Sequence, residues 1–127
     1  MAGCVLGSGD ASFVMAEWTQ EGTPVGDEPM QVAPLHRHFG CDEAWYVLEG
    51  ELCVQVDGET FRAPAGSAVL APKRSAHTYW NPLPVSARYL LVMTPKTSAL
   101  IDAIHSATDR SWAGLQNLFR EFDAELI

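Results

Sequence analysis

His36 and His38 stand two positions apart in the stretch PLHRHFGCDEAWYVLEG, and Glu43 follows five positions after the second imidazole. In a strand, residues i and i+2 project from the same face, about 6.5–7 Å apart along the chain. The two imidazoles therefore converge while Arg37 points the other way. Two converging imidazoles can share a metal ion through bonds of about 2 Å. The four residues Phe39 to Asp42 give the chain room to turn, and Glu43 at the start of the next strand can return a carboxylate to the same point. A fourth ligand has to come from elsewhere, and His77, which opens the run HTYWN, is the candidate. An isolated His-x-His is common on surface strands. Coupled to a spaced Glu and a distant strand His, it becomes far more specific.

The elements that must position these groups are β-strands. From residue 12 to 94 the chain consists of short β-prone runs separated by Gly, Pro and Asp. SFVMAEWT is followed by a Gly/Pro loop, and MQVAPLHRH carries Pro34 inside it, which implies an edge strand or a kink. EAWYVLEG and ELCVQVDG meet at Glu49-Gly50. Asp57-Gly58 supplies the positive φ that a two-residue hairpin requires. TFRAPAG, SAVLAP, AHTYWN and SARYLLVMTP follow at intervals of about ten residues, the pattern of a sandwich or barrel. After Thr94-Pro95 the period becomes helical: apolar residues recur at 100, 101 and 104, then at 112, 115, 118, 119, 122 and 126. Asp109 is the expected N-cap of the second helix. The expected organisation is a flexible N-terminus over 1–11, a β-barrel over 12–95 and a helical segment over 96–127 packed on the barrel or on a partner subunit.

Composition narrows the function classes. At 127 residues the chain is long enough for one well-buried domain. Eight basic residues against sixteen acidic ones give a net charge of −8. That charge disfavours nucleic acid and anionic membrane surfaces, both of which need a basic stripe. No apolar run reaches the roughly 18 residues that span a bilayer. The start, MAGCVLGSGD, lacks the basic n-region and the apolar length of a signal peptide. Three cysteines, Cys4, Cys41 and Cys53, are an odd number without Cys-x-x-Cys spacing, so reduced thiols in a cytoplasmic protein are expected.

The His/Glu stretch resembles the first motif of the cupin family, G-x5-H-x-H-x3,4-E-x6-G, in which His36, His38, Glu43 and Gly50 fall into place. Met30 stands where that motif opens with Gly. The second motif, G-x5-P-x-G-x2-H-x3-N, is matched by Gly58, Pro64 and Gly66, and then by His77 with three residues before Asn81. Ten residues rather than two separate Gly66 from His77. The resemblance implies an all-β fold, a jelly-roll β-barrel with short C-terminal α-helices. It also implies a divalent transition metal (Fe, Mn, Ni or Zn) held inside by His36, His38, Glu43 and His77. Asp42 competes with Glu43 for the carboxylate position, but only Glu43 also fits the spacing to Gly50.

Other residues carry weaker signals. Trp45 shares parity with Glu43, and Tyr79 with His77, so both rings either line a substrate pocket beside the metal or pack the core. Cys41 reads as a turn residue, Asn81 as a strand-end turn residue, and His105 as a solvated or helix-end histidine away from the motifs. Cys53 alternates with Leu52 and Val54, and its face is open. SARYLLVM is apolar on both parities apart from Arg88, which subunit contact would explain, and a homodimer is expected.

Function is expected to follow from coordination. Three His and one Glu would leave two positions on an octahedral ion but fill a tetrahedral zinc. The resemblance thus implies a metal-dependent enzyme on a small organic molecule, most simply an oxygenase, with Glu43 as the catalytic base. The rival readings are a non-enzymatic binding or sensor module with a metal anchor, and a non-redox isomerase or lyase.

Overall fold

A computed structural model describes residues 10–127. Cys4 and most of the terminus expected over 1–11 lie outside the described residues.

Eight strands form where the alternating runs stand: β1 (Val14–Gln20), β2 (Ala33–His38), β3 (Glu43–Glu49), β4 (Glu51–Val56), β5 (Glu59–Pro64), β6 (Ala68–Ala71), β7 (His77–Trp80) and β8 (Ala87–Met93). Two helices, α1 (Pro95–Ser106) and α2 (Trp112–Glu121), follow, and a short ninth strand, β9 (Ala124–Leu126), is the last element of the described residues. The strands make two antiparallel sheets, ordered β1-β8-β3-β6 and β5-β4-β7-β2-β9. This is the expected all-β barrel with C-terminal helices. Alternation explains which residues fill it: Trp45 and Val47 of β3, Leu52 and Val54 of β4, and Tyr89, Leu91 and Met93 of β8 are buried between the sheets.

Two turns depend on special backbone. Asp57 and Gly58 both adopt positive φ (48° and 84°), closing the β4–β5 hairpin as the sequence suggests. Gly50, where the chain leaves one sheet for the other, has φ 76°, and a Cβ there would sit 2.7 Å from the Ser86 carbonyl oxygen. Only glycine meets both demands.

Three expectations need correction. Pro34 does mark an irregularity, because the β2–β7 register shifts between Ala33 and His36, but β2 is not an edge: β9 pairs along its other side. The N-cap of α2 is Ser111, whose hydroxyl oxygen accepts from the Gly114 N–H at 3.1 Å. Asp109 instead braces that cap, accepting from the Ser111 backbone N–H and hydroxyl. The second helix also stops at Glu121 rather than running to 126. Asp123 turns left-handed (φ 58°), and the Gln116 carboxamide then grips both the N–H and the C=O of Leu126, holding β9 to α2. Ala124 and Leu126 are thereby buried with Leu100 and Phe119 in a second core beneath the helices, while Ile127 stays exposed.

The outer face of the four-stranded sheet carries an apolar patch beside an ion-pair cluster of Arg88 with Glu17 and Glu49. Met15, Val92, Ala44 and Leu70 align in one cross-strand row, and Glu17, Leu90, Tyr46 and Ala68 in the next. Met15, Tyr46 and Leu70 are exposed there. The inner residues of β8 are buried and its outer ones half-buried, so within one chain that strand is fully covered on one face only.

Candidate metal centre

His36 and His77 are direct cross-strand partners on β2 and β7, and His38 lies two residues further along β2. Glu43 opens β3 in the opposite sheet, so its carboxylate reaches across the barrel toward the three imidazoles. One ligand atom from each of the four residues lies within 4.8 Å of all the others, and all four side chains are buried. The rings of His36 and His77 are 4.4 Å apart, and those of His36 and His38 4.9 Å. Asp42, the rival carboxylate, is exposed and accepts from the Lys73 backbone N–H instead.

Hydrogen bonds aim these groups. His36 Nδ1 donates to the Pro34 carbonyl at 2.6 Å, and His77 Nδ1 to the Ser75 carbonyl at 3.2 Å. A ring that gives its Nδ1 proton to a backbone carbonyl presents an Nε2 lone pair, which is how metal-binding imidazoles are held. His77 Nε2 then faces Glu43 Oε2 at 2.8 Å, and His38 Nε2 sits 3.7 Å from the same oxygen. Nε2 of His38 is buried without a hydrogen-bond partner. A buried ring nitrogen with no partner, beside an imidazole and a carboxylate that share a single contact, is costly. A cation at their common centre satisfies all of them, and the mixed imidazole–carboxylate set suits a divalent transition metal.

The electrostatics agree with that fit. Burial, helped by the neighbouring His77, lowers the His36 pKa to about 4, and burial likewise lowers that of His38. Both rings are thus held neutral, as ligands must be. Burial alone would raise the Glu43 pKa, but the contact with His77, helped by the His38 and His36 ring nitrogens, outweighs it and keeps the carboxyl below its usual range.

The cluster opens onto a cavity of about 220 Å³ between the barrel and the two helices. His36, His38 and Glu43 stand at one part of its wall, while Trp18, Leu91, Ile101, Ile104 and Leu115 make it largely apolar. Phe119 of α2 packs its ring on that of His36 (centroids 5.4 Å apart). Tyr79 lines the cavity; Trp45 does not, being wedged behind it between His77 and Tyr79 at 5.6 and 5.4 Å. His105, expected far from the motifs, borders the cavity from the last turn of α1 and meets the Trp18 ring edge-on at 5.9 Å. Arg110, which donates to the Ile104 carbonyl, lines it as well. No spacing in the sequence links these helix residues to the strand histidines.

The remaining polar residues have other duties. Asn81 ties a turn together, its amide donating to Gln20, Glu21 and Val85 carbonyls and its oxygen accepting from the Leu83 N–H. Cys41 accepts from the Thr94 hydroxyl outside the cluster. Cys53 sits on the parity opposite Leu52 and Val54, paired across the sheet with Arg62 and Trp80, so it faces away from the lumen. Both cysteines are free thiols.

Comparison with known proteins gives this architecture a family. Among solved structures, the TT1209 protein of Thermus thermophilus superposes with a TM-score of 0.56 at 26% identity, covering 66% of this chain and 73% of that one. A predicted oxalate decarboxylase from Thermotoga maritima superposes with a TM-score of 0.55 at 22% identity, covering 64% of each chain. In sequence, the uncharacterized protein MJ1618 of Methanocaldococcus jannaschii is 31% identical over 58 residues, 46% of this chain. That match spans 43% of the length of the curated relative. The family model for the cupin domain matches residues 25–93, more than half of the chain and all of the His/Glu cluster, so the chain belongs to the cupin family.

Proposed function

We propose that this protein is a metal-dependent enzyme acting on a small organic molecule, most simply an oxygenase, with His36, His38, Glu43 and His77 holding a divalent transition metal. One observation carries the reading: the ligand cluster is not sealed in the core but forms part of the wall of a largely apolar cavity. A purely structural ion has no need of such an opening. Bound there, the metal would supply Lewis acidity or one-electron redox chemistry.

The chain's own residues do the rest. The Pro34 and Ser75 carbonyls orient two imidazoles, and the apolar walls exclude water. Glu43 is the group able to loosen and take a proton from the ligand, since its Oε2 is shared between His77 and His38. Tyr79, with Trp45 behind it, forms a flat side of the pocket suited to a planar ligand. The cavity volume falls below the roughly 300–1,000 Å³ of drug-sized sites, so the ligand is small.

The second reading is a non-enzymatic binding or sensor module anchored by the metal. The contact of Phe119 with His36 favours it, because it couples the site directly to α2. A non-redox isomerase or lyase is a variant of the first reading, in line with the name of the Thermotoga maritima structure. Two-fold assembly through the apolar patch of Met15, Tyr46 and Leu70 on the outer face of the four-stranded sheet is part of the proposal, as is a cytoplasmic setting for its free thiols.

The test is metal analysis of protein purified without chelators, then oxygen uptake by the iron form against a panel of phenols, diketones and thiols. Stoichiometric metal with substrate-dependent uptake is the expected result. Stoichiometric metal with tight ligand binding but no turnover of any kind would replace the enzyme with the binding module.

A further inference from the structure

One tyrosine in the cavity wall and one behind it have hydroxyl oxygens 2.8 Å apart. Tyr79 lines the cavity; Tyr89, on β8, is almost wholly buried and does not. Each phenol carries one proton, and only one proton fits between the two oxygens. If Tyr79 donates, the Tyr89 proton is left in the core with no acceptor, since among the described residues Tyr79 is the sole hydrogen-bond partner of that hydroxyl. Stranding a buried donor is the costly outcome. If Tyr89 donates, both phenols are satisfied once something in the cavity accepts from Tyr79. The other ring against Tyr79, Trp45, offers only an N–H donor and can take no proton. Polar satisfaction therefore sets one direction: Tyr89 to Tyr79 to the cavity.

We infer that the Tyr79 hydroxyl is a hydrogen-bond donor aimed at an oxygen atom of the ligand, with Tyr89 as the positioning residue that fixes its direction. The ligand class follows. It is a small molecule with a carbonyl, carboxylate or enolate oxygen beside the atoms that reach the metal, and a body apolar enough for the surrounding walls. A donor fixed in this way adds most where negative charge gathers on that oxygen. The inference rests on the metal site proposed above and goes beyond it by assigning the polar contact.

The test uses the cobalt(II)-loaded protein and two probes read by visible absorption. Acetohydroxamate presents oxygens to the metal and to Tyr79; imidazole ligates through nitrogen and offers no oxygen. Tyr79→Phe should weaken acetohydroxamate about tenfold, the worth of one hydrogen bond near a charged oxygen, and leave imidazole unchanged. Tyr89→Phe, one hydrogen bond behind the cavity lining, should weaken acetohydroxamate about threefold and have no further effect in the Tyr79→Phe background. That non-additivity distinguishes an oriented pair from two separate packing effects. Equal acetohydroxamate affinity in wild type and Tyr79→Phe would overturn the inference while leaving the metal site intact. Parallel loss of both probes in Tyr79→Phe would also overturn it, in favour of packing. Wild-type protein that takes up no cobalt would overturn both this inference and the proposed function.

Discussion

Acidifying the metal-free protein from pH 7 to pH 5 is expected to cost about 2 kcal/mol of folding stability through His36 alone. In the folded chain the His36 pKa is lowered from 6.5 to about 4 by burial and by His77. Between those values the unfolded chain binds a proton that the folded chain refuses. The stability is therefore fully present above pH 6.5 and drains away as pH falls toward 4. A shift of this size amounts to about 3 kcal/mol over the whole window, most of it lost by pH 5 at ~1.4 kcal/mol per pH unit. His38 is shifted in the same direction, and the lowered pKa of Glu43 continues the loss at lower pH. The general charge acts oppositely: with a net charge of −8, acidification relieves carboxylate repulsion. Urea unfolding of chelator-treated protein, followed by tryptophan fluorescence at pH 7, 6 and 5, measures the trend, and His36→Gln isolates its source. The variant should flatten the pH dependence by about 2 kcal/mol. A wild-type stability that holds steady or rises between pH 7 and 5, or a variant with the wild-type slope, would refute the reasoning.

His36→Ala, His38→Ala and His77→Ala should each lower metal affinity by at least about a hundredfold, more than the ~10–100-fold typical of losing an outer-shell partner; full occupancy in any two, by elemental analysis, would remove the assigned ligand set. Glu43→Gln should weaken binding less, because an amide oxygen still coordinates, and Asp42→Asn should leave metal content unchanged. Gly50→Ala should destabilise the fold by about 2 kcal/mol or more in denaturant melts, from left-handed strain alone, with the Ser86 contact adding to it. Light scattering at micromolar concentration should give twice the 13.9 kDa chain mass, and Leu70→Glu on the outer sheet face should return it to one; a wild-type monomer would dispose of the dimer.

Features set by short spans of chain were legible in the residues alone. Strand parity puts His36 and His38 on one face, the four-residue turn returns Glu43 to it, and Asp57-Gly58 closes a hairpin because its backbone needs are met locally. Other choices waited on packing between distant segments. Residues 118 to 126 satisfy a helical period, yet Ala124 and Leu126 also alternate as a strand. The open side of β2 and the grip of Gln116, both remote from local pattern, settle the choice for β9. Asp109 and Ser111 are equally good caps by type, and the packing of the α1–α2 turn selects Ser111. Parity places Trp45 and Tyr79 alike on the inner face, but one ring is wedged behind the other, so only Tyr79 meets the cavity. His105, Arg110 and Phe119 reach the cavity because the helices fold back over the barrel's open side. That juxtaposition is made by contacts between residues some eighty positions apart, and no local periodicity records it.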